Sequence, residues 1–148
     1  MYYEPLKRKA NRKLEQAMKV YADRIFIKVG ELSNVQAYYT KEHLRNVPQG
    51  EGWTSIEKGT AWGGEWQNLW IKGSFACDAA VDGKKIYALS RAGGCEQLFF
   101  VNGVPKGIFN IKNTDYVGGN HGTQYIGVAK AGEKFDLAFE CYAGHFCV

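Results

Sequence analysis

The sequence lacks the features that mark several large classes of protein. No run approaches the roughly 18 apolar residues of a membrane-spanning helix. The start, Met1-Tyr2-Tyr3-Glu4-Pro5, meets Lys7-Arg8-Lys9 at once and carries no apolar signal-peptide core. The four cysteines, Cys77, Cys95, Cys141 and Cys147, include no C-x-x-C pair. With no secretion signal, the expectation is a cytoplasmic location and free thiols. Excess charge is also missing from most of the chain. Residues 1–24 hold seven Lys/Arg against three Asp/Glu, whereas residues 25–148 hold twelve of each. A basic surface for nucleic acid is therefore not expected, because one short segment carries the whole imbalance and the rest shows no basic aromatic groove. Catalytic signatures are lacking as well: there is no G-x-S-x-G and no glycine-rich loop ending in Gly-Lys-Ser/Thr.

What is present points to one β-rich domain. The 148 residues are 45% hydrophobic and include 21 aromatics, enough for a core and far from a disordered composition. Eighteen glycines without a collagen-like period predict many turns. Leu6, Ala10, Leu14, Ala17, Met18, Tyr21 and Ile25 recur at spacings of three and four, which predicts an amphipathic N-terminal helix. Pro5 suits its first turn. A helix on a membrane surface and a helix packed on its own domain would both carry such a stripe. This one is Ala-rich and has no Trp, which favours packing on the domain and no membrane partner.

Beyond the helix, Ile25–Val29 is strand-like and residues 31–52 read as an irregular wrap. Leu69, Ile71 and Phe75 alternate with Trp70, Lys72 and Ser74. Further strands are expected at Ile86–Leu89, Gln97–Val101 and Gln124–Val128, with turns at Asp82-Gly83, Asn102-Gly103 and Ala131-Gly132. In the last strand Phe135, Leu137, Phe139 and Cys141 alternate with Asp136, Ala138, Glu140 and Tyr142, as in a sheet with one buried face. The expected fold is mainly β, an antiparallel β-sandwich or jelly roll with an N-terminal α-helix. Residues 1–52 would form the helix and wrap packed on the sandwich, and residues 53–148 the sandwich itself. The ending, Cys141 to Val148, has no polar tail, so the chain reads as a piece of something longer.

Four arrangements could carry chemistry. Asp136 and Glu140 share one strand face, but about 13 Å of backbone separates them, too far for a simple glycosidase pair, and both read as solvated acids. Cys141, His145 and Cys147, with His121, have the residue types for zinc but only one tight ligand cluster, so no metal site is expected. Val117-Gly118-Gly119-Asn120-His121-Gly122 reads as a loop between strands. Trp62, Trp66 and Trp70 stand four residues apart. Extended backbone would put them on one face, as an open row for stacking on carbohydrate or on another domain, and looped backbone would let them diverge.

Around these residues the sequence resembles the N-terminal region of glycoside hydrolase family 38 α-mannosidases of the cytosolic and bacterial branch. The similar elements are Trp62-Gly63, Trp66, Trp70-Ile71-Lys72-Gly73-Ser74-Phe75, Gly83-Lys84-Lys85-Ile86-Tyr87, Phe99-Phe100-Val101-Asn102-Gly103-Val104-Pro105, and Ala131-Gly132-Glu133-Lys134 through Glu140-Cys141-Tyr142-Ala143. They are densest over residues 53–144. The resemblance implies a galactose-binding-like, non-catalytic sandwich attached to an enzyme that hydrolyses terminal α-mannosides. The family's His-x-Asp zinc ligands have no counterpart, since His43, His121 and His145 are followed by Leu44-Arg45, Gly122-Thr123 and Phe146-Cys147. No catalytic or metal residue carries over. Cofactors are expected only in the catalytic region, as a divalent metal, zinc by resemblance. The expected partners are the catalytic and C-terminal domains of the same chain, with carbohydrate or self-association at Trp62, Trp66 and Trp70.

Overall fold

The computed structural model describes residues 3–110 and 122–144, with the backbone alone for residues 22–25. Helix α1 runs over Tyr3–Ile25. Its Lys, Arg, Leu, Ala, Glu and Gln are strong helix formers, and its one proline stands in the first turn. Residues 3–21 are all exposed. Leu6, Leu14, Met18 and Tyr21 face solvent, so the stripe expected to pack on the sandwich does not. Alanines give it little apolar area with which to compete for a place on the sheet.

Strands follow at Ser33–Thr40 (β1), Thr54–Ser55 (β2), Asn68–Ala76 (β3), Lys85–Ala88 (β4), Glu96–Val101 (β5), Val104–Asn110 (β6), Gln124–Val128 (β7) and Lys134–Tyr142 (β8). Every pairing among them is antiparallel. A six-stranded sheet has the order β2-β1-β3-β8-β5-β6, and a smaller sheet is β4-β7. The protein is thus mainly β with one N-terminal helix, and two sheets about a shared core fit a β-sandwich.

Two expectations fail here. Residues 26–30 form no strand and are exposed, because no neighbouring strand takes up their ladder groups. The supposed wrap instead supplies β1, whose Ala37 and Tyr39 face Ile71 and Leu69 in register. Asn102 and Gly103 both adopt positive φ (50° and 78°), the twist a tight β5–β6 turn needs.

The core lies on the inner face of the large sheet. Leu69, Phe99, Phe109, Phe135, Leu137, Phe139 and Cys141 meet Ile86, Ala88 and Ile126 of the small sheet. Phe99 packs on Phe139 at 5.1 Å and on Phe109 at 5.6 Å between ring centroids. Two buried polar side chains here are partnered: Ser90 Oγ bonds Gln97 Oε1, and Gln97 Nε2 donates to the Gly93 carbonyl at 3.0 Å.

The outer face is covered as well. Trp70, Phe100 and Ala138 are buried there beneath Tyr38, Leu44, Val47, Trp53 and Leu98. Residues 41–53 form an irregular strap across the sheet. Trp53 pins one end, its ring tilted 5.7 Å from that of Tyr38, with Lys72 Nζ 4.0 Å above its ring.

Candidate functional site

The three expected tryptophans diverge. Gly63 and Trp66 both have positive φ (114° and 62°), which breaks the extended geometry that would align them. Trp70 is fully buried within β3, with its ring 5.4 Å from Phe100. Trp62 is half-buried against the main core, and its indole N–H donates to the Ala92 carbonyl. Only Trp66 remains largely exposed, at 53%. Trp70 is therefore removed from any surface row, and no open platform of three indoles exists.

Glu140 also departs from expectation. Asp136 is solvated beside Lys134, 3.5 Å away, but the Glu140 side chain is only 12% exposed. The reason is the strap, which lays His43 and Leu44 over it. Burial pushes the Glu140 carboxyl up, against the opposing pull of His43 and of the Leu44 N–H. His43 Nδ1 stands 3.9 Å from Glu140 Oε1, and the His43 ring is 5.0 Å from that of Tyr142.

Cross-strand pairing then assembles a cluster. Asn68 opposes Tyr142 and Trp70 opposes Glu140 in the β3–β8 register, with all four on the outer face. Asn68 is fully buried. Both of its amide atoms, Trp70 Nε1 and Glu140 Oε1 are buried without a hydrogen-bond partner. Ordered water is the usual partner of such groups in a native interior. The Trp66 turn closes one side: its N–H donates to the Gly144 carbonyl at 3.2 Å, and its ring lies 6.5 Å from Tyr142. Sequence reasoning weighed Glu140 and His43 separately. It missed Asn68 and Tyr142, whose signal was the pairing register of two distant strands.

The metal candidates do not assemble among the described residues. Cys141 lies on the core face, where burial and the Glu140 charge push its thiol well above the ordinary range. His121, His145 and Cys147 lie outside the described residues, as does most of the glycine-rich stretch from Val117. Cys77 and Cys141 are free, whereas Cys95 is disulfide-bonded, which corrects the expectation that all thiols are free. No described helix is long and apolar enough to cross a membrane.

A second surface feature lies on the opposite side. The outer face of the small sheet presents Tyr87, Leu89, Tyr125 and Val128, all more than 40% exposed. The Tyr87 ring lies between that of Tyr125, tilted at 5.4 Å, and that of Phe26, edge-on at 5.5 Å, the latter from the segment that follows α1.

No protein-family model, curated protein or solved structure matches the chain.

Proposed function

We propose that the chain is a non-catalytic β-sandwich module of jelly-roll, galactose-binding-like type that works by contact within an α-mannosidase. The motif order shared with family 38 supports the family. The exposed aromatic face of the small sheet, Phe26, Tyr87, Leu89, Tyr125 and Val128, carries the contact role. A contiguous apolar face of this kind is the usual mark of an interface, and domain interfaces within one chain commonly bury about 600–1,500 Å². On this reading the parent's zinc chemistry belongs to its catalytic region, and this module supplies a packing surface.

Two measurements test the reading. The purified chain should not turn over an aryl α-mannoside with zinc or cobalt added, and sustained turnover would refute it. Sedimentation at rising concentration should show self-association through the orphaned face. Tyr87→Ser with Tyr125→Ser should abolish that association. A chain that stays monomeric at every concentration, unchanged by the double substitution, would remove the contact role.

A further inference from the structure

We infer that α1 docks on an anionic lipid surface, lying in the headgroup layer with its apolar stripe towards the acyl chains. The inference is independent of the contact role of the small sheet and rests on two features of one helix. The first is apolar. Leu6, Leu14, Met18 and Tyr21 are 42% to 66% exposed, and at 3.6 residues per turn they fall within about 120° of arc. Ile27 and Val29, in the segment that follows and joins no sheet, are exposed as well. The second is electrostatic. Residues 3–21 hold six Lys/Arg against two Glu. Lys7 and Lys13 border the stripe on its two sides, and Arg8, Arg12 and Lys19 lie behind it. None of these basic side chains makes an ion pair among the described residues.

Charge decides among the surfaces that could cover the stripe. The sandwich of the same chain leaves it in water. A second α1 laid along it would set one strongly basic helix against another. The small sheet of a second copy presents Lys85 opposite Val128 on its outer face, again like charge against like. A nucleic acid would take the basic groups and leave Leu6 and Leu14 exposed. An anionic bilayer meets both features together, because the lysine stems reach the headgroups while the stripe enters the layer beneath. The helix is not apolar enough to cross a membrane, so it lies on the surface. An Ala-rich stripe without Trp inserts weakly by itself, and the basic residues therefore supply the larger share of binding.

The test is flotation of the whole chain with vesicles of phosphatidylcholine, alone or with roughly one third phosphatidylserine. The chain should float with the mixed vesicles and not with phosphatidylcholine alone. Raising the salt from about 0.1 M to about 0.5 M should release most of it. Lys7→Gln with Lys13→Gln should weaken binding roughly tenfold or more. Leu6→Ala with Leu14→Ala keeps the charge and the helix but removes apolar area, and should weaken binding roughly tenfold. All four positions are exposed, so the melting temperature of the sandwich should not move. The inference is overturned if the chain ignores the anionic vesicles or if phosphatidylcholine alone holds it equally well. It is also overturned if the leucine pair binds as tightly as the parent, which would leave only a general attraction to polyanions such as RNA.

Discussion

The two faces of the large sheet are built from the same strands but closed in different ways. On the inner face a second sheet brings Ile86, Ala88 and Ile126 down on a layer of phenylalanines, and the buried Gln97 and Ser90 satisfy each other. On the outer face an irregular strap closes a smaller cluster and leaves Asn68, Trp70 and Glu140 with unpaired atoms. Regular elements arrive with their backbone groups already bonded, so they can cover a dry core. A strap is adaptable and excludes water without matching every polar group beneath it. Stability is therefore expected to concentrate on the inner face.

The largest effect should come from Phe99 and Phe100, adjacent residues that point to opposite faces. Phe99→Ala opens a cavity between two sheets and should cost about 3–5 kcal/mol by denaturant unfolding. Phe100→Ala opens one beneath the strap, which can collapse into it, and should cost roughly 2 kcal/mol. Equal losses would mean that the strap is as rigid as the small sheet. Gly94 lies where β5 begins against the end of β8. Its φ is +81°, and a Cβ there would stand 2.6 Å from the Tyr142 carbonyl oxygen. Gly94→Ala should therefore cost about 2 kcal/mol, read in the same assay.

A smaller effect, dependent on pH, is expected at Glu140. Its folded pKa is raised by burial, so the stability it contributes is complete below its unfolded value of 4.5 and is lost as pH rises through the folded value. The groups that face it are His43 and the Leu44 N–H. Glu140→Gln should stabilise the protein by about 1 kcal/mol at pH 7 and by almost nothing at pH 4. A gain that is the same at both values would show that the carboxyl is not titrating in the fold. The smallest effect belongs to Trp66, a bulky residue at φ 62°. Trp66→Gly relieves that backbone while giving up ring contact. The melting curve should move by no more than about 0.5 kcal/mol in either direction.

Much of the β architecture was legible because its periodicity is local. The alternation in Phe135–Cys141 and Leu69–Phe75 marked β8 and β3, and Asn102-Gly103 marked its hairpin. β1 escaped notice because its inward residue at the centre is only Ala37. Ile25–Val29 misled because strand propensity without a neighbouring strand makes no sheet. The candidate site was legible only in fragments. Glu140 has the look of a solvated strand acid until residues 41–53 are known to cross above it, and no pattern within β8 reports what lies on top. The tryptophan row failed for a local reason: two positive-φ residues, one of them Trp66 itself, turn the chain between indoles that sequence spacing would align.

The position of β8 in the large sheet also sets an order on folding. It is the last described strand in the chain, yet it lies between β3 and β5, joining β2-β1-β3 to β5-β6. While the ribosome is still short of residue 134, these two groups of strands have no common edge. Each then presents an unpaired strand of the kind that recruits other chains. The closing contacts are long in sequence and slow to form, Phe75 with Phe135 and Leu69 with Cys141 among them. Once β6 is made, the nascent chain therefore holds two incomplete half-sheets until one late strand locks both into place.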